Sequence, residues 1–315
     1  MAGRHTDPLL GVMPGSRHLP PPAAPPAATT VLPGAGRRLD LPAGPMHYLD
    51  AGDGPAVIMV HGNPTWSFLF RDLVARLSAT HRCVAPDHLG FGLSGTPADR
   101  PCRPAEHAGH LARLVETLGL RRIVLVGHDW GGPVALAYAA SRPDNVAALV
   151  LSNTWAWPVH RDPRLAAFAA LAGGPPGRWL IRHHDALVRA LPLAVGDRQR
   201  LSATAHRCYR TVRATPAARD GFAALPREML AARAWLAALR DHLPRLGDTP
   251  ALLAWGMRDP ALGARVLGHW RTLLPHARVH PLAGVGHLPP EEAPAAFGDA
   301  VTGFLAEDGP GISPC

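Results

Sequence analysis

The chain has 315 residues, 47% of them hydrophobic, and a mean hydropathy of +0.01, enough to build a large core in one catalytic domain with an insertion. Its formal charge is +8 and its pI about 10.5, yet all 32 Lys-plus-Arg positions are Arg, scattered rather than striped and without interleaved aromatics. That pattern sets nucleic-acid binding aside in favour of a solvated basic surface. No run reaches the roughly 18–20 apolar residues that a membrane span needs, and the N-terminal residues lack a signal-peptide core, so a cytoplasmic protein without membrane contact is expected.

In chain order, residues 1–38 are rich in Pro, Ala and Gly, including PPPAAPPAA, and read as an extended, poorly ordered tail. PMHYLDAG follows as a first strand region. Short apolar runs then alternate with helical ones: AVIMV (56–60), RCVAP (82–86), RIVLVG (122–127), AALVLS (147–152), ALLAW (251–255) and ARVHPL (277–282). Near-continuous apolar strands of this kind belong to a parallel sheet covered on both faces. Leu111, Leu114, Val115 and Leu118 recur at helical spacing. The alternation stops between about Trp157 and Leu246, where RWLIRHHDALVRAL and PREMLAARAWLAALRDHL are helical and no strand stands out. The expected division is therefore a core of 39–155 and 248–305, a helical cap of 156–247, and a loose end of 306–315. A final helix near 292–305 closes the fold.

Catalytic groups of open α/β sheets lie beyond the carboxyl ends of the strands. Four such ends carry polar loops: HGNPTW, VGHDWGG, GMRDP and GVGHL. In VGHDWGG, Gly127, Asp129 and Gly131 have the Gly-x-nucleophile-x-Gly spacing of a sharp strand-to-helix elbow. A carboxylate there, where a hydroxyl is common, points to displacement at saturated carbon followed by hydrolysis of an enzyme-bound ester. The bland reading of Asp129 is a helix N-cap; the flanking glycines and the three companion loops outweigh it. Asp259 and His287 follow in the order nucleophile, acid, histidine, as orienting acid and general base. The other place for an acid, after Ser152, holds Asn153. The backbone N–H groups of Asn63 and Trp130 suit an oxyanion hole, and their side chains offer two donors beside Asp129 for a departing halide. Cys83, Cys102, Cys208 and Cys315 form no CxxC pair, the eighteen histidines are scattered, and adjacent His183 and His184 diverge by about 100° on a helix. No metal site and no cofactor are expected.

With those residues in place, HGNPTWSFLFR, DHLGFGLS, HDWGGPVAL, SNTWAWP, WGMRDPALG and GHLPPEEAP resemble, in the same order, the sequence blocks of haloalkane dehalogenases. YRTVRATPAARDGFAALPRE resembles their cap, so the likeness covers about 45–305. The resemblance implies an α/β-hydrolase fold, with a mostly parallel central sheet flanked by helices and an inserted helical cap. It also implies a nucleophile at Asp129, a base at His287, an acid at Asp259 and halide donors at Asn63 and Trp130. Asn63, together with an acid after the later strand, is similar to the third subfamily; the first has Glu at the position of Asn63 and the second Glu at that of Asn153. Leu262 and Leu288 depart from the pattern, standing where an aromatic is common. The β-lactone decarboxylases of olefin biosynthesis share the Asp, Trp and Asn.

The expected partners are a small apolar haloalkane, water and halide, in a monomer or weak homo-oligomer. An epoxide hydrolase resembles this arrangement but uses two lid tyrosines, and only Tyr209 of the three tyrosines falls in the cap. A fluoroacetate-type enzyme would set cations beside the nucleophile, and HGNPTW has none. A catalytically silent binding protein on the same fold would not keep every group of the constellation.

Overall fold

The computed structural model describes residues 7–12 and 15–308. Eight strands form one sheet: β1 (Ala35–Leu41), β2 (Gly44–Ala51), β3 (Ala56–Val60), β4 (Arg82–Pro86), β5 (Ile123–His128), β6 (Val146–Ser152), β7 (Ala251–Gly256) and β8 (Arg278–Leu282). Their spatial order is β8-β7-β6-β5-β3-β4-β2-β1. The strands from β8 to β4 run parallel, and β2 and β1 are antiparallel additions. β3, β5 and β7 are buried at every position because helices cover both sheet faces, which is why their sequences carry no alternation. Edge strands β1 and β8 are mostly exposed and carry Arg37, Arg38 and Arg278, charges that discourage pairing with another sheet.

The chain leaves β3 for β4 on one side, then crosses over to β5 on the other. The loops after β3 and β5 therefore part, opening a crevice at the carboxyl edge. Ile58 pairs with Leu125 and Val60 with Gly127, a register that brings the HGNPTW loop beside the DWGG elbow.

Between Ser152 and Ala251 the described residues form helices and turns without a strand. The run 178–191, read in sequence as one helical stretch, is broken: one helix is Pro175–His184, and Asp185 then takes a left-handed backbone (φ 56°) before Ala186–Arg189 and Leu191–Ala194. Helical propensity carries no record of that stop, which lets the chain turn back over the crevice. The second run divides at Ala232 into Asp220–Ala231 and Arg233–His242. The former packs closely on Pro163–Gly173, where a Cβ on Gly173 would lie 2.6 Å from the Arg227 Cα.

The expected loose N-terminal tail requires correction. Among the described residues up to 38, Leu9 and Ala28 are fully buried, His18–Leu19 pairs with Thr96–Pro97, and β1 begins at Ala35. Gly11 N–H donates to Ala105 O at 2.7 Å, and the Trp235 indole donates to Leu9 O at 3.1 Å. A Pro/Ala composition disfavours a core of its own but not docking on one already built. At the other end the last helix, Pro294–Asp308, continues past 305; residues 309–315 of the expected loose end lie outside the described residues. Among the described residues no helix is long and apolar enough to cross a membrane.

Candidate active site

Asp129 sits between β5 and the helix Gly131–Ser141 with φ 49°, a left-handed conformation that a non-glycine residue adopts only when its surroundings enforce it. The enforcement is visible. Thr154 Oγ1 donates to the Asp129 carbonyl at 2.6 Å, and Asp129 N–H donates to Asn153 O at 3.3 Å. Gly62 is required opposite, since a Cβ there would run into the Asp129 carboxylate; at Gly131 a Cβ would strike the Val60 carbonyl.

One carboxylate oxygen, Oδ1, accepts the backbone N–H of Asn63 at 2.8 Å, and the backbone N–H of Trp130 also bonds the carboxylate. The other, Oδ2, faces His287 Nε2 at 3.6 Å, too far for a hydrogen bond. Burial pushes the Asp129 carboxyl above the usual range, opposed by His287 and the two N–H donors.

His287 lies in the loop after β8, with its Nδ1–H donating to Asp259 Oδ2 at 2.7 Å. Burial alone would lower its pKa, but Asp259 and then Asp129 override that and push it up to about 9. Asp259 is saturated with donors. Its Oδ1 accepts Ala261 N at 2.8 Å and Leu262 N at 2.9 Å, and its Oδ2 accepts His287 and Asn153 Nδ2, the latter at 2.9 Å. Burial works to raise this carboxyl, and His287 with these donors holds it below the ordinary value. The expected trio thus converges at one edge of the sheet, and Asn63 and Trp130 flank it.

Four residues that pattern reading left without a role hold this trio. Asn153, noted only as lacking a carboxylate, spans β6 and β7: its Nδ2 donates to Gly256 O and Asp259, and its Oδ1 accepts Gly256 N–H. Thr154 fixes the elbow. His128 Nε2–H donates to the His287 carbonyl at 2.7 Å. The carboxylate of Glu292 accepts N–H groups from Gly286, Leu288 and cap residue Gly196, tying the histidine loop to the cap. The pattern PPEE after GVGHL was the only signal for Glu292, and it does not reveal a partner 96 residues away.

A cavity of about 250 Å³ opens on Asp129. The cap contributes Leu165, Phe168, Leu187, Leu191, Leu193, Pro226 and Met229, and the core adds Pro64, Trp130, Trp155 and Leu262. Of the two aromatic substitutions noted in the sequence, Leu262 reaches this wall, whereas Leu288 is fully buried elsewhere. Polar lining comes from Asn63, Asp129, Asp259 and His287 alone among the described residues. Tyr209, the cap tyrosine, points its hydroxyl at Glu291 (2.8 Å), and among the described residues no tyrosine lines the cavity. Among the described residues no arginine lines the cavity, although a carboxylate-bearing substrate would call for one. Asn63 lines the cavity with one amide N–H given to Phe222 O at 3.1 Å in the cap, which leaves its second N–H for a ligand.

Residues 55–294 match the α/β hydrolase fold family. The chain is 40% identical over 276 residues to haloalkane dehalogenase 2 of Mycobacterium tuberculosis, covering 84% of this chain and 93% of that one. It is 33% identical over 286 residues to the cis-3-alkyl-4-alkyloxetan-2-one decarboxylase of Xanthomonas campestris, covering 85% and 95%. Among solved structures, a loop variant of a haloalkane dehalogenase from Bradyrhizobium elkanii superposes with a TM-score of 0.77 at 28% identity, over 86% of this chain and 96% of that one. Elbow, cap, cavity and relatives agree: the chain belongs to the haloalkane dehalogenase family of α/β hydrolases.

Proposed function

We propose that the protein hydrolyses primary alkyl halides through a covalent ester on Asp129, giving an alcohol, a halide ion and a proton. The observation that carries this reading is a carboxylate at the elbow, inside an apolar cavity, with Oδ1 held by the Asn63 N–H and Oδ2 facing His287 beyond hydrogen-bond distance. Asp129 Oδ2 attacks the carbon bearing the halogen, and the carbon–halogen bond breaks toward Asn63 and Trp130. The Asn63 amide and the Trp130 indole donate to the leaving anion, where a dry pocket strengthens each contact. Desolvation of the carboxylate helps the attack, since little water has to be stripped from it at the moment of reaction.

The ester retains Oδ1 as its carbonyl oxygen, already bonded to the N–H of Asn63, with the N–H of Trp130 also at the carboxylate. Water attacks the ester carbonyl carbon as His287 Nε2 takes its proton, and Asp259 stabilises the imidazolium. The 3.6 Å between His287 Nε2 and Asp129 Oδ2 suits a base acting through water rather than a direct bond. Collapse releases the alcohol, which takes up the proton from His287, and Asp129 loses the remaining one to solvent. Esterification also removes the Asp129 charge that helps keep His287 protonated, so the base becomes available in the step that needs it.

The oxetanone decarboxylase relatives support a second reading, because the same carboxylate in the same apolar cavity could open a strained lactone. Halide release from a panel of bromoalkanes, measured beside a dialkyl β-lactone, decides between them. Halide release with an intact lactone is the expected outcome. Lactone turnover without halide from any bromoalkane would sink the dehalogenase reading.

A further inference from the structure

Four buried histidines, none of them lining the cavity, form a stack that runs from the HGNPTW loop to the helix Pro104–Thr117. Ring centroids lie 4.4 Å apart for His61 and His88, 4.6 Å for His88 and His107, and 6.2 Å for His107 and His110. The inner pair is satisfied. His61 Nδ1–H donates to Gly62 O, His61 Nε2 accepts the His88 backbone N–H, and His88 Nε2–H donates to His61 O. The outer pair is not: His107 Nδ1 and His110 Nδ1 are buried without a hydrogen-bond partner among the described residues. Buried polar nitrogens are nearly always partnered, so two neighbouring exceptions require an explanation that packing does not give.

Cys102 supplies it. It stands just ahead of the helix Pro104–Thr117, on which His107 and His110 are three residues apart and share a face. One donor atom from each of Cys102, His107 and His110 lies within 4.8 Å of the others. Their exposures are 4%, 2% and 6%. We propose that Cys102, His107 and His110 form a buried three-coordinate site for a thiophilic cation, with Cu⁺ as its occupant. One sulfur and two imidazoles are a soft-to-borderline donor set, which selects Cu⁺ or Zn²⁺ over harder ions. Three ligands suffice for Cu⁺, whereas Zn²⁺ takes a fourth, from protein or water. Charge favours Cu⁺ as well: with one thiolate it makes a neutral centre, whereas Zn²⁺ would leave a net positive charge in a buried pocket. The adjacent Glu106 acts on the pocket together with its partner Arg100, so the pair brings little net charge to it. On binding, a Cu–S bond replaces the S–H bond and the proton goes to solvent, with no change of oxidation state. His110 lines a surface groove beside Leu10–Val12, which gives the ion an access path.

The test titrates the full-length protein anaerobically with Cu⁺ against a chromophoric Cu⁺ chelator. The expected result is one equivalent withheld from the chelator, with X-ray absorption showing one sulfur and two nitrogens around copper. Cys102→Ser and His110→Gln should each abolish this retention while circular dichroism stays unchanged. No retention by the native chain, or undiminished retention in the Cys102→Ser/His110→Gln double variant, overturns the site. Should the variants fail to fold, the native absorption spectrum decides alone, and a copper shell without sulfur overturns it. Retention of Zn²⁺ in preference to Cu⁺ in a parallel titration overturns the choice of ion. None of the three ligands lines the catalytic cavity, so the result is independent of the halide-release assay.

Discussion

Two groups of buried histidines in this protein have opposite fates. In the stack, and at His128 beside the catalytic loop, burial dominates: His110 is driven down to about 4 and His128 to about 3. His287, whose ring centre is only 5.0 Å from that of His128, is pushed up to about 9. Depth alone does not separate them: the His287 side chain is only 13% exposed, and burial works to lower its pKa as it does theirs. Carboxylates do. Asp259 bonds His287 directly and Asp129 faces it, whereas His128 meets the His287 carbonyl. Burial by itself makes an imidazole neutral and inert; a base that can carry a proton mid-reaction needs charge placed against it.

The strongest way to break this contrast is to remove the histidine that carries charge. His287→Gln should lower steady-state halide release by at least about 10⁴-fold, as expected for loss of a member of a catalytic unit. One equivalent of halide should still appear in a burst, and mass spectrometry should find the alkyl group retained on the protein. A variant that turns over steadily would remove His287 from the mechanism. Next in size, Trp130→Phe keeps the ring and deletes the indole donor, and should cost about 10²-fold in kcat, the scale of one lost donor to developing charge; an unchanged kcat would dissociate Trp130 from halide departure.

A third test separates the two carboxylates. Protonated His287 cannot accept a proton, so ester hydrolysis should rise with pH and level off above the pKa of the alkyl-enzyme. That midpoint should fall below the value of about 9 in the free enzyme, because esterified Asp129 no longer supports the cation. Asp129→Asn imitates the loss of charge, and NMR titration of its His287 should give the same downward shift. An unmoved midpoint would assign the whole effect to Asp259. The smallest effect is reserved for the neutral neighbour. His128→Gln should cost about 1 kcal/mol of stability, the scale of one hydrogen bond, and leave the pH midpoint of hydrolysis where it was. A displaced midpoint would mean that His128 carries charge after all.

The alternation of apolar runs placed β3 and β4 at their observed limits and the other parallel strands within a residue of theirs, the central ones because a strand buried on both faces must be apolar throughout. β1 was hidden in a segment whose composition reads as tail, since an edge strand of AGRRLDL needs a neighbour to exist. The cap was legible as helical, but not where it breaks, because Asp185 stops its helix through backbone geometry and tertiary contact rather than propensity.

The converging trio announced itself through short-range patterns: glycines around Asp129, and Asp259 and His287 each just beyond a strand. Such motifs are legible because the elbow and the strand ends constrain nearby residues. What clamps the trio is spread along the chain, with Asn153 acting 106 residues from Asp259 and Glu292 acting 96 residues from Gly196. The convergence of Cys102 with His107 and His110 was equally silent, since nothing in their spacing says which helix face is buried. By itself, then, the sequence determined a parallel sheet with a carboxylate at the elbow after β5 and the chain order of the acid and histidine that meet it. Only the tertiary structure decided which histidine carries charge and which stays neutral, because a pKa is set by groups brought close in space, and that proximity does not exist until the sheet has closed.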